Sequence, residues 1–182
     1  MAEVILVTGG CRSGKSSFAE RLVRQAETEK RFYIATCHVF DREMEERVRR
    51  HQANRAAEHW TTIEEETDLV SAISRCGSGA VLVDCLTLWI SNLMYAAERR
   101  NAVFTENDMV SECERLKKAF AAFKGTVVLV LNEVGLGIVP ENETARRFRD
   151  CSGRCGQIIA SFADLVYLTV CGIPVKLKGD GE

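Results

Sequence analysis

The run Gly9-Gly10-Cys11-Arg12-Ser13-Gly14-Lys15-Ser16 constrains this chain more than any other, because it fits G-x-x-x-x-G-K-[ST]. That pattern has meaning only between a strand and a helix, and its flanks predict both. Val4–Thr8 is a short apolar run, and Phe18, Leu22, Val23 and Ala26 recur at helical spacing after the loop. Glycines let the backbone come close to phosphate, and the amides at the helix start then face the anion. Lys15 is expected to reach the β- and γ-phosphates, and Ser16 to offer its hydroxyl to Mg²⁺. Gly9 through Ser16 are therefore predicted to bind a nucleotide.

Further apolar runs suited to buried parallel strands lie at Phe32–Ala35, Ala80–Asp84, Thr126–Leu131, Leu165–Val170 and, more briefly, Val175–Leu177. Helical patterns stand between them: Met109, Cys113, Leu116, Phe120 and Phe123 in one, and Ala145, Phe148, Cys151, Cys155, Ile158 and Phe162 in another. Parallel neighbours need crossover connections, so strands alternating with helices predict a sheet covered on both faces. The expected fold class is α/β, a three-layer P-loop NTPase-like fold with a mainly parallel sheet. At 182 residues, one domain spanning 1–182 is expected.

Charge and cysteine usage narrow the partners. With 24 basic and 26 acidic residues the net charge is -2, too weak a field to hold a polyanion, so no nucleic-acid partner is expected. Eight cysteines and no C-x-x-C pair predict reduced thiols rather than a disulfide scaffold. The N-terminal stretch lacks a basic region before its short apolar run, and no apolar run is long enough to span a bilayer. A cytoplasmic protein with no membrane insertion is expected.

A second acidic group should stand at the end of a neighbouring parallel strand, and Asp84 closes Ala80–Val83 there. Glu133, after Asn132, is the rival for this metal-side role, and a helix cap before Leu86 is the plain alternative for Asp84. Asp41 through His51 reads as a charged helix with Met44, Val48 and His51 on one face. By spacing alone that histidine suits covering apolar neighbours as well as chemistry.

Taken together, Val4 to Ser16, Tyr33-Ile34-Ala35-Thr36, Asp41 to Arg55, and His59-Trp60 through Glu64-Glu65 resemble the cobinamide kinase and guanylyltransferase family. The second half agrees, in Asn132-Glu133-Val134-Gly135-Leu136-Gly137-Ile138-Val139-Pro140-Glu141-Asn142, Ala145 through Asp150, and Ala163-Asp164. The resemblance implies an enzyme, commonly a homotrimer, that phosphorylates adenosylcobinamide and then adds GMP to that phosphate, using GTP and for the first step GTP or ATP. It implies that His51 carries the guanylyl group, with Lys15 and Mg²⁺ stabilising phosphate charge. It also implies nucleotide contacts at Thr36, Cys37, His38, Gln52, Ala53, Asn54, Arg55, Glu64 and Asp84, and metal contacts at Ser16 and Asp84.

The chemistry is sound in itself. A neutral imidazole can attack the α-phosphate of GTP and expel pyrophosphate, and the substrate phosphate then attacks the phosphoramidate. His38 is the fallback nucleophile. The rivals are a P-loop small-molecule kinase with direct transfer and no covalent intermediate, and a nucleotide-binding regulatory switch.

This sequence departs from the family pattern in places. Cys11 stands where alanine is usual, Cys37-His38 replace a polar pair, Arg50 replaces a second histidine of some members, Asp84 is shorter than an occasional glutamate, and Gly156 stands where asparagine is common. Arg146, Arg147, Arg149 and Arg154 form either a phosphate clamp or a solvated helix face. The apolar helix with Leu86, Leu88, Trp89, Ile90, Leu93 and Met94 is expected in the core or a subunit interface, with corrinoid contact as the alternative. Cys151 and Cys155, four apart, are read as core thiols rather than metal ligands.

Overall fold

The computed structural model describes residues 1–37 and 60–179. Seven strands form one sheet: β1 (Glu3–Gly9), β2 (Arg31–Ala35), β3 (Trp60–Glu64), β4 (Ser78–Asp84), β5 (Lys124–Asn132), β6 (Leu165–Val170) and β7 (Ile173–Lys178). Their order is β3-β2-β4-β5-β1-β6-β7, parallel except for the antiparallel β6–β7 hairpin. Five helices are described: α1 (Lys15–Gln25), α2 (Leu69–Cys76), α3 (Leu86–Glu98), α4 (Glu106–Ala122) and α5 (Glu143–Phe162). The three-layer α/β expectation holds.

Alternation along each strand divides the core in two. Ile5, Val7, Leu82, Val128 and Val130 face α1, where Ala19 and Val23 are fully buried. Val4, Leu6, Val81, Val83, Val127 and Leu129 face the other way, onto α2, α3, α4 and α5 through Ile73, Trp89, Leu116 and Ile159. The apolar helix α3 is thus core: Leu86, Trp89 and Ile90 are buried, and Leu93 and Met94 pack on the same cluster. Cys113, Cys151 and Cys155 also lie in this core.

Side-chain caps start most helices. Asp68 accepts from Ser71 N at 3.2 Å, Asn142 from Ala145 N at 2.9 Å, and Thr105 with Asp108 forms a reciprocal capping box. Helix α1 begins differently. Its N-cap is Gly14 at φ 94°, with no side-chain cap, which leaves its first amides open.

Two expectations need correction. Strand β3 escaped the apolar-run reading because Trp-Thr-Thr-Ile-Glu is, among the described residues, an edge strand bonded to β2 alone and partly exposed. Strand β4, which ends in Asp84, is not the immediate neighbour of β1, because β5 lies between them. The charged segment 41–51 lies outside the described residues.

Candidate nucleotide site

Every parallel strand runs toward the same edge of the sheet, so Gly9, Ala35, Glu64, Asp84 and Asn132 end there together. Ligands of open parallel sheets bind at that edge. The glycine loop leaves β1 at Gly9 (φ 148°) and turns into α1 at Gly14. Gly9 tolerates no side chain: a Cβ there would come within 2.4 Å of the Thr169 carbonyl oxygen.

The loop is braced from a distant part of the chain. Ser13 Oγ and Thr169 Oγ1 lie 2.8 Å apart, Thr169 Oγ1 donates to Thr8 O at 3.1 Å, and Gly172 N donates to Ser13 O at 2.9 Å. These contacts tie the loop to β6 and to the β6–β7 turn. No local pattern marks Thr169 or Gly172, since they stand far from the loop in sequence.

Lys15 is buried, and its ammonium donates to Gly10 O at 2.7 Å. Burial lowers its pKa below the ordinary 10.5, while the fields of Cys85, Asp84 and Cys11 work against that shift. Asp84 therefore acts on Lys15 across the strand ends. Its carboxylate accepts from the Tyr33 hydroxyl at 3.1 Å. The Cys85 thiol beside it is pushed up to about 11, by burial first and by the Asp84 charge second.

Thr36 is buried and locks β2 to the start of α3. Its hydroxyl donates to Cys85 O at 2.7 Å and accepts from Cys85 N at 2.8 Å. Asn92 Nδ2 then donates to Thr36 O at 2.8 Å. The side chain of Thr36 is thus engaged in structure, and Cys37 after it is half-buried. Glu64 is exposed at the end of β3, four strands from β1, roughly 19 Å away at normal strand spacing. Glu64 thus stands well away from the glycine loop along the strand-end edge. His51, His38, Gln52, Ala53, Asn54 and Arg55 lie outside the described residues.

Glu133 is the rival acid on β5. Its amide donates to Gly9 O at 2.9 Å, so it sits directly beside the loop, but its carboxylate folds onto Gly135 N at 2.6 Å. Ser16 and Asp84 together offer a hydroxyl and a carboxylate oxygen, the donor chemistry that a hard cation such as Mg²⁺ takes.

The arginine cluster does not act as one unit. Arg146 donates to the carbonyls of Pro140 and Glu141, and Arg147 pairs with Glu143 at 2.6 Å. Arg154 is exposed, while Arg149 has a buried Nη1 with no partner among the described residues. The solvated-face reading fits Arg154 alone.

Comparison with known proteins places the chain. The profile described as cobinamide kinase / cobinamide phosphate guanyltransferase matches residues 5–177. The chain belongs to that family. It is 42% identical to the bifunctional adenosylcobalamin biosynthesis protein CobU of Salmonella typhimurium, over 96% of this chain and 99% of that one. It is 40% identical to the corresponding protein CobP of Pseudomonas aeruginosa, over 96% and 97%. In fold it is similar to the flagellar accessory protein FlaH from Methanocaldococcus jannaschii (TM-score 0.53, 14% identity, 98% of this chain and 79% of that one). It is also similar to an ATPase from the type III secretion system of pathogenic bacteria (TM-score 0.55, 11% identity, 96% and 56%).

Proposed function

We propose that this protein phosphorylates the aminopropanol hydroxyl of adenosylcobinamide and then transfers GMP from GTP to the product, in cobalamin biosynthesis. The observation that carries this reading is the match to bifunctional relatives along nearly the whole chain, on a fold whose glycine loop has the geometry for polyphosphate.

In the first reaction the substrate hydroxyl attacks the γ-phosphorus of GTP or ATP, and the nucleoside diphosphate leaves. The open amides of α1 and the Lys15 ammonium hold the phosphates in place. Lys15 must give up its bond to Gly10 O to do so. Mg²⁺, held by Ser16 and Asp84, would neutralise charge on the phosphates.

In the second reaction His51 attacks the α-phosphorus of GTP and pyrophosphate leaves. The phosphate of adenosylcobinamide phosphate then attacks the guanylylated imidazole, giving adenosylcobinamide-GDP and free His51. Thr36, Cys37, His38, the stretch 52–55 and Glu64 contact the nucleotide in this reading. A homotrimer is part of the proposal. Leu136 and Ile138, nearly fully exposed in the β5–α5 loop, are apolar surface that such an assembly would cover.

The test uses GTP labelled at the α- or the γ-phosphate, with Mg²⁺. Acid-labile, alkali-stable protein label from the α-position alone is expected, and His51→Ala should take up none. Equal labelling of that variant would rule out the route through His51. Phosphorylation of adenosylcobinamide without any label would leave a direct kinase, and nucleotide binding without either activity would leave a switch. Sedimentation should give three chains per particle.

A further inference from the structure

Glu133 follows the last residue of β5, and its amide donates at 2.9 Å to the carbonyl oxygen of Gly9, where the phosphate loop begins. The Lys15 ammonium bonds the carbonyl oxygen of the next residue, Gly10, at 2.7 Å. Adjacent carbonyls of the loop thus hold Glu133 and the tip of Lys15, the group expected at the β- and γ-phosphates. Asp84 does not share that place, since β5 separates its strand from β1.

The Glu133 carboxylate is oriented but left open. Its Oε1 accepts from Gly135 N at 2.6 Å, while Oε2 has no hydrogen-bond partner among the described residues. Gly135 makes room for it. A Cβ there would stand 2.9 Å from Oε1 of Glu133, closer than such atoms come. Gly135 lies outside the left-handed region, so its backbone conformation does not call for glycine. What its missing side chain provides is space for the carboxylate.

Glu133 is also within reach of a ligand. It is exposed, and with Thr8, Asn132 and Gly135 it lines a cavity of about 390 Å³ on the face of the sheet opposite α1. It is the only charged group among the described residues that line this cavity. A fixed carboxylate with one free oxygen, beside the phosphate loop and facing open space, has the position of a group that takes a proton from an attacking hydroxyl.

We propose that Glu133 is the general base of the phosphorylation step, with Gly135 as its positioning residue. This rests on the proposed function. The acceptor oxygen forms a bond to the γ-phosphorus while its proton passes to Oε2 of Glu133. The bond from the γ-phosphorus to the bridging oxygen breaks, and its electron pair leaves with the nucleoside diphosphate. Glu133 then releases the proton to solvent. The second reaction has no such need, because its acceptor is a phosphate monoester that is already anionic at pH 7. The base therefore serves one of the two reactions.

The experiment compares wild type, Glu133→Gln, Gly135→Ala and the double variant in the two reactions assayed separately: phosphorylation of adenosylcobinamide, and guanylyl transfer to supplied adenosylcobinamide phosphate. Glutamine keeps the shape and still accepts from Gly135 N. Glu133→Gln should lower kcat of phosphorylation about a hundredfold or more, with guanylyl transfer, nucleotide affinity and the Mg²⁺ requirement within about threefold of wild type. Gly135→Ala displaces the carboxylate and should lower the same kcat about tenfold, yet add nothing in the double variant, since the group it displaces is already gone. Unchanged phosphorylation in Glu133→Gln would overturn the proposal. So would an equal fall in both reactions or a raised Mg²⁺ requirement, which would assign Glu133 to the fold or to the metal ion. A Gly135→Ala loss that multiplies in the double variant would remove Gly135 from the positioning role. If wild type itself fails to phosphorylate adenosylcobinamide, the functional reading falls first, and the proposal with it.

Discussion

The Lys15 ammonium sits 2.7 Å from the carbonyl oxygen of Gly10, so the phosphate loop closes on its own lysine. Burial lowers the lysine pKa, so the folded chain holds a charge that it would lose more readily than the unfolded chain. Such a group costs stability below its folded pKa, and that stability returns as pH rises toward 10.5. Lys15→Met should therefore raise the Tm of the nucleotide-free protein at pH 7. The same variant should lose the further stabilisation by GTP and lower phosphoryl transfer about a hundredfold or more. Melting curves with and without GTP, together with a kinase assay, check both parts.

Asp84 acts on Lys15 and is held by the Tyr33 hydroxyl at 3.1 Å. Asp84→Asn keeps the shape and removes the charge, so phosphoryl transfer should fall about a hundredfold with little change in urea midpoint. Tyr33→Phe frees the carboxylate without removing it, and its loss should stay within about tenfold. Activity titrated against Mg²⁺ separates the two, since Asp84→Asn alone should need far more of the metal ion.

Thr36 makes two hydrogen bonds to the backbone of Cys85 from a fully buried position. Thr36→Val keeps the volume and leaves the Cys85 amide unpaired, for a destabilisation of about 1–3 kcal/mol. Urea unfolding measures it. The β2–α3 junction should loosen with it, seen as faster amide exchange at Cys85.

Gly14 combines φ 94° with a close approach to the β6–β7 turn. Gly14→Ala forces a side chain into left-handed backbone, at about 1–2 kcal/mol. It also sets Cβ 3.0 Å from Gly172 Cα. Nucleotide affinity should fall together with stability, because the same turn positions the first amides of α1. Isothermal titration with a non-hydrolysable GTP analogue, beside urea unfolding, tests the joint loss.

The thiols set the alkaline limit. Burial pushes Cys76, Cys85 and Cys151 up to about 11, against an ordinary 9.0. The unfolded chain ionises these groups first, so their contribution is intact below pH 9 and is lost between pH 9 and 11. Cys155 is raised as well, first by its hydrogen bond with Cys113, and Lys15 opposes these thiols over part of the range. Unfolding free energy should hold to about pH 9 and then decline, while Cys11 and Cys171, both exposed, react with a thiol reagent in the native state.

Local pattern was enough wherever a single element carries its own signal. The glycine loop, the apolar strands on either side of it and the amphipathic α4 and α5 were all legible, because period and composition act over one helix or strand length. Strand β3 was not, since an edge strand with one neighbour buries too little to leave an apolar run. Asp84 was legible as a strand-end acid, but its place two strands from the loop was not. Pairing order depends on which crossover packs against which face, and no local residue pattern encodes that.

Chemical type came from the amino-acid order alone: a phosphate-gripping loop, its lysine and serine, and a set of motifs that the family shares along nearly the whole chain. Only the folded chain decided that Thr169 and Gly172 brace the loop, that Thr36 is tied up in backbone hydrogen bonds, and that the Ser152 hydroxyl is buried with no hydrogen-bond partner among the described residues. These are relations between residues far apart in sequence, and burial, hydrogen bonding and electrostatic fields act through space rather than along the chain.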